Sequence, residues 1–136
     1  DEQALMNAIP KLGAVVIDTW NNEPKINHDL LEMVDIATPH IAGYSYQGKQ
    51  NATALAVQHV ARHFGLTDLY GYYPEADIPG HEPIQLDLKD KNQGERAAVF
   101  QYNYPIFTDD FRFRMEPHKF EKLRNEYQYR REIVLE

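Results

Sequence analysis

The sequence predicts an α/β fold: part of a doubly wound sheet, followed by a smaller α+β piece. Three observations predict it. Over the first forty residues helical and strand-like segments alternate, the order that a sheet covered by helices requires. The first strand-like run, residues 14–17, is continuously apolar rather than alternating, as in a strand buried on both faces. A Gly/Pro-dense break near 70–80 then separates this part from residues of different character.

Each element has a local reason. Asp1 stands as N-cap to a helix over 2–9, which Pro10-Lys11-Leu12-Gly13 stops. Ala14-Val15-Val16-Ile17-Asp18 reads as a buried strand, a short helix follows around 28–33, and Val34-Asp35-Ile36-Ala37 is a second brief run. Residues 45–64 form one long helix with an apolar stripe through Ala52, Leu55, Ala56, Val60 and Phe64, ended by Gly65. After the linker, Ile84-Gln85-Leu86-Asp87-Leu88 alternates like a half-exposed strand. Helices are expected over 93–104 and, strongly charged, over 117–129, with an edge strand at Ile133-Val134-Leu135. The resulting divisions are 1–44, a helix at 45–66, a linker at 67–80 and a last piece at 81–136. A chain that opens at Asp1 inside a helical pattern reads as the tail of a longer protein.

Composition excludes several classes. The formal charge of −7 and pI near 5.3 argue against a general nucleic-acid binder. With no cysteine there is neither a disulfide scaffold nor a thiolate zinc site, which fits a reducing, cytoplasmic setting. No apolar run approaches the ~20 residues that a membrane span needs. His59 and His63 lie four apart, a metal-compatible spacing, but no Glu follows His59 and no metal site is expected. Arg112, Arg114, Lys119, Lys122 and Arg124 alternate with acids and read as a solvated helical face. The Phe111/Phe113/Phe120 group fits an interface or a core equally well.

The chemistry sits in two loops. Ile17-Asp18-Thr19-Trp20-Asn21-Asn22-Glu23-Pro24 follows the first strand, and Thr38-Pro39-His40-Ile41-Ala42-Gly43-Tyr44 follows the second. Open α/β sheets bind ligands outside the carboxyl ends of their strands, where Glu23 and His40 both fall. Histidine titrates near neutrality and serves as general acid or base, and a neighbouring carboxylate stabilises its charged form and fixes its tautomer. By themselves these residues could equally be ordinary loop formers.

The two motifs together resemble the end of the catalytic core of the D-isomer-specific, NAD-dependent 2-hydroxyacid dehydrogenases. Tyr44 directly after His-Ile-Ala-Gly, Gly48-Lys49 beyond it and a C-terminal extension are similar to the branch that oxidises a phosphorylated four-carbon hydroxy acid. Within that extension, Phe120-Glu121-Lys122-Leu123-Arg124-Asn125 through Arg130-Arg131-Glu132 resembles that branch's dimerisation domain. The resemblance implies a Rossmann-like NAD-binding domain ending near 44, a helix at 45–66 returning towards a substrate domain, and a homodimer formed through 81–136. It implies His40 as proton donor and acceptor, Glu23 as its partner, Asp18 and Gly43 on the nicotinamide side of NAD, and Tyr44 on the substrate. No Gly-x-Gly-x-x-Gly occurs here, and the family's carboxylate-binding arginine has no match, since Arg62 and Arg96 lie in unrelated contexts. The segment by itself is therefore expected to be inactive. Two alternatives stay open: a related dehydrogenase of the phosphoglycerate type, or a non-catalytic dimerisation module.

Overall fold

The computed structural model describes residues 1–79 and 85–133. The chain divides into two compact units that do not follow sequence order. One joins Asp1–Ala42 to Tyr104–Gln128; the other joins Gly43–Asn103 to Tyr129–Glu136. The packing division thus differs from the linear one, because residues 104–128 fold onto the first forty residues.

In the first unit, helix α1 (Glu2–Ala8) starts at Asp1, whose side chain accepts from the N–H of Ala4. Strand β1 (Val16–Ile17) and strand β2 (Ile36–Ala37) pair in parallel, Val16 against Ile36 and Ile17 against Ala37. Between them lies α2 (His28–Met33), with Asn27 accepting from the N–H of Leu30. The order and the parallel pairing agree with the sequence, but the strands are two residues long and not buried on both faces. Val16 is 58% exposed, whereas Val15 beside it is buried.

Two further helices complete this unit. The sequence offered no helix at α5 (Ile106–Met115), and α6 (Phe120–Asn125) is shorter than the expected 117–129, with a 3-10 turn at Pro117–Lys119 preceding it. Phe113 and Phe120 are core: both are buried, and Phe113 meets Trp20 and Phe120 edge-on, each at 5.7 Å. Around them lie Val15, Ile26, Leu30, Leu31, Val34 and Ala37. Phe111 instead stays exposed.

Arg114 is not a solvated charge. Its guanidinium donates to the carbonyls of Leu31 (2.6 Å) and Val34 (2.8 Å), satisfying the C-terminal end of α2. Asp110, one turn earlier, accepts from Arg114 Nε (2.9 Å) and from the N–H of Ala37 (2.7 Å). One ion pair thereby ties α5 to both α2 and β2.

In the second unit, α3 (Tyr46–Phe64) has Ser45 as N-cap and Gly65 in the left-handed conformation (φ 69°) as C-cap, as the sequence indicates. Its apolar stripe does not face a core: Leu55, Val60 and Phe64 are exposed, and the buried positions are Ala54 and Ala61. A 3-10 turn (Thr67–Leu69) follows, and further along the chain α4 (Gln93–Asn103). The expected strand at 84–88 is absent over its described residues 85–88. There Asp87 instead accepts from the N–H of Lys89 (2.8 Å), a local turn that competes with strand pairing. Residue 84, and residues 134 and 135 of the other expected strand, lie outside the described residues.

The start of α3 is closed by the last residues of the unit. Ser45 forms a parallel bridge with Arg130, Tyr46 N–H donates to Arg130 O (3.0 Å), and Ser45 Oγ donates to Glu132 Oε1 (2.5 Å) while accepting from Gly48 N–H (2.8 Å). A Cβ on Gly48 would lie 2.6 Å from Ser45 Oγ and 3.1 Å from the carbonyl of Gly43. Gly48→Ala is therefore expected to displace the capping hydroxyl and cost about 1–2 kcal/mol. A urea unfolding midpoint equal to that of the parent chain would exclude this account.

Candidate active site

The first unit brings Asp18, Glu23 and His40 together. Both loops leave the carboxyl ends of β1 and β2, and hydrogen bonds running between them fix their geometry. Trp20 Nε1 donates to Thr38 O (3.0 Å), and Asp18 Oδ1 accepts from Thr38 Oγ1 and from the N–H of Ile41, each at 2.7 Å. Asp18 Oδ2 accepts from the N–H of Ala42 at 3.1 Å. One carboxylate thus holds the Thr38 side chain before His40 and two backbone N–H groups after it.

That grip has a conformational purpose. His40 has φ 57°, a region that residues with a Cβ occupy at a cost of about 1–3 kcal/mol. Such a conformation persists only where its surroundings determine it. Here Asp18 holds the flanking residues, and Arg124 Nε, from α6, donates to the carbonyl of His40 itself (3.2 Å).

The ring is held by Glu23. His40 Nδ1 lies 2.8 Å from Glu23 Oε2, and Glu23 Oε1 accepts from the N–H of Trp20 (2.8 Å). With Nδ1 engaged by a carboxylate, Nδ1 carries the proton in the neutral ring and Nε2 is left as the base. The His40 side chain is 42% exposed and that of Glu23 22%, so the pair is half-desolvated and open on the histidine side.

Burial raises the pKa of Glu23, but the hydrogen bonds from His40 and the Trp20 N–H, with the positive charges of His40 and Arg124, outweigh it. The carboxyl lies below its ordinary 4.5. A depressed folded-state pKa stabilises the fold above the unfolded value, and that contribution is lost as pH falls through the folded one. Glu23→Gln should therefore make stability less dependent on pH below about 4.5. Unfolding free energies from about pH 6 to pH 3 check this, and parallel curves for the two proteins would contradict it.

Gly43 and Tyr44 belong to the second unit. Gly43 is exposed, and a Cβ built there meets nothing within 4 Å. Tyr44 stacks on Tyr129 with centroids 5.6 Å apart and planes at 8°, while Lys49 Nζ stands 3.9 Å from the Tyr44 centroid. Among the described residues no group of three or more potential metal ligands occurs, and no helix is long and apolar enough to cross a membrane.

Several residues that build this site carried no individual signal. Thr38 and Arg124 act through a backbone carbonyl or a carboxylate that only folding supplies. Trp20 could have been singled out as the only tryptophan of the chain, placed between the Glu23 and His40 loops and the core.

A half-desolvated histidine–carboxylate pair outside the ends of parallel strands defines an acid–base site, and the proteins that this chain matches carry dehydrogenase names. They are erythronate-4-phosphate dehydrogenases. The chain is 42% identical over 134 residues to the one from Bacteroides thetaiotaomicron and 36% identical over 135 residues to that from Porphyromonas gingivalis. It is 36% identical over 142 residues to that from Tolumonas auensis. These alignments take in 97–98% of this chain and 36% of each relative. The chain is thus homologous to these dehydrogenases along nearly its whole length, and spans about a third of theirs. No protein-family model matches it.

Proposed function

We propose that this chain is the C-terminal portion of a 4-phosphoerythronate dehydrogenase and supplies the acid–base half of its active site. The whole protein would oxidise 4-phospho-D-erythronate to 2-oxo-3-hydroxy-4-phosphobutanoate, a step in making pyridoxal phosphate. The observation that carries this reading is the 2.8 Å contact between His40 Nδ1 and Glu23, which leaves Nε2 to take the C2 hydroxyl proton. Charge developing on the imidazole is met by a carboxylate already ionised and hydrogen-bonded.

In the whole protein NAD would supply the acceptor for the hydride that leaves C2. The residues that fit it here are Asp18 and Gly43. A carboxylate has about four acceptor sites, and Asp18 uses three of them on Thr38, Ile41 and Ala42, so one remains for an amide N–H such as that of a carboxamide. Gly43 offers exposed backbone with no side chain in the way. Tyr44 would contact the substrate. Parallel pairing of β1 with β2 and the exposed face at Val16 support a larger Rossmann-like sheet around this pair, reaching to residue 44.

The remaining divisions follow the same reading: residues 45–66 return towards a substrate domain, 67–80 link, and 81–136 make a homodimer. Supporting the dimer, Phe107, Phe111 and Met115 recur every four residues on α5 and are all more than 60% exposed. The function is tested with the full-length protein by following NADH formation with 4-phosphoerythronate, 3-phosphoglycerate and D-lactate. Efficient oxidation of 4-phosphoerythronate is expected. A preference for either other acid would replace this substrate assignment, and no NAD reduction with any would return the chain to a non-catalytic role.

A further inference from the structure

Among the described residues Lys49 is a cation with no acidic partner. Its Nζ lies 3.9 Å from the centroid of Tyr44 and 5.6 Å from that of Tyr129. Glu132, whose carboxylate lies beside Gly48, accepts from the hydroxyl of Ser45 at 2.5 Å, and among the described residues no cation pairs with it. In a chain of net charge −7, a lysine held against two stacked rings rather than against an acid is a positioned charge.

Lys49 is exposed, and the rings on which its ammonium lies are themselves held in place. Tyr44 and Tyr129 stack face to face, Tyr46 meets Tyr129 edge-on at 5.7 Å, and Lys49 sits in the first turn of α3, whose cap is closed by Ser45, Gly48 and Glu132. The rings attract the ammonium without neutralising it. Its N–H donors therefore remain available to an anion arriving beside the Tyr44 ring.

We propose that Lys49, held on the Tyr44–Tyr129 stack, binds the phosphate of a phosphorylated hydroxy acid and so sets the preference for phosphorylated over unphosphorylated substrates. This rests on the reading of Tyr44 as a substrate contact. Charge is the essential element: a phosphate monoester is dianionic near neutrality, whereas unphosphorylated erythronate presents only a neutral hydroxyl at that end.

The test uses the full-length protein and its Lys49→Met and Lys49→Arg variants. Lys49→Met should lower the ratio of kcat/KM for 4-phosphoerythronate over erythronate by about 10–100-fold, chiefly through KM. Lys49→Arg should restore a substantial part of it. In parallel, inorganic phosphate binding is followed by calorimetry, and Lys49→Met should weaken it about tenfold or more. Equal losses on both substrates, or unchanged phosphate affinity in Lys49→Met, would overturn the proposal. The two readings fail separately: a protein inactive on every hydroxy acid but with Lys49-dependent phosphate binding would refute the dehydrogenase and leave the phosphate site standing.

Discussion

Replacing His40 by asparagine in the full-length protein is expected to lower turnover by about 10²–10⁴-fold, the range that a positioned general acid–base group supplies. Asparagine tolerates a positive φ, so the loop at φ 57° is preserved and the loss reports on chemistry rather than on folding. Its amide can still meet Glu23, but it has no nitrogen that accepts a proton. The KM for substrate should change far less than kcat, since the proton is handled in the transition state. Glu23→Gln should give a smaller loss with a different signature. The contact to Nδ1 at 2.8 Å can survive, while the negative charge that stabilises the imidazolium is gone. The two variants are separated by the pH dependence of kcat/KM. The histidine-dependent limb should vanish in His40→Asn and persist, at reduced rate, in Glu23→Gln. Near-parental turnover of His40→Asn would remove the proton-relay role altogether.

The features legible in the sequence were those with a local cause. Asp1, Ser45 and Gly65 mark helix ends because capping involves only neighbours in the chain, and all three act so in the structure. A continuous apolar run and a second brief run, separated by a helix, sufficed to indicate two parallel strands. Elements whose cause is tertiary were misread. The apolar stripe on α3 is real as a pattern, but the residues that the helix buries are Ala54 and Ala61. Helix α5 was missed because its buried face combines Phe113 with Asp110 and Arg114. A salt bridge satisfying backbone carbonyls looks, to a hydropathy pattern, like surface. In the site, Glu23 and His40 were legible as a pair, and their contact is present. Asp18 shows the limit: its place after β1 was visible, yet its three bonds to the His40 loop depend on folding.

Phe113→Ala is expected to be the most damaging single change to the first unit, at about 3–5 kcal/mol. The side chain is fully buried, and its ring is one of three in contact, between Trp20 and Phe120. Removing it loses apolar burial and leaves a cavity that the flanking rings can fill only by moving. That loss is comparable with the total stability of an ordinary domain, about 5–15 kcal/mol. The variant therefore has to be compared with Phe113→Leu, which keeps much of the volume and should lose less, about 1–2 kcal/mol. Trp20 makes the consequence specific. Its N–H fixes Glu23 at 2.8 Å and its indole fixes the carbonyl of Thr38 at 3.0 Å, so a Trp20 ring that shifts into the cavity loosens both loops of the histidine–carboxylate pair. As the only tryptophan, it reports on this directly. In Phe113→Leu, its fluorescence should move to longer wavelength under native conditions, before any unfolding is detected by far-UV dichroism. The urea midpoint should fall with an unchanged m-value. A native emission spectrum identical to the parent's, in a protein destabilised to the expected extent, would mean that α5 stabilises the unit without holding the site. A midpoint that does not fall would mean that Phe113 is not core.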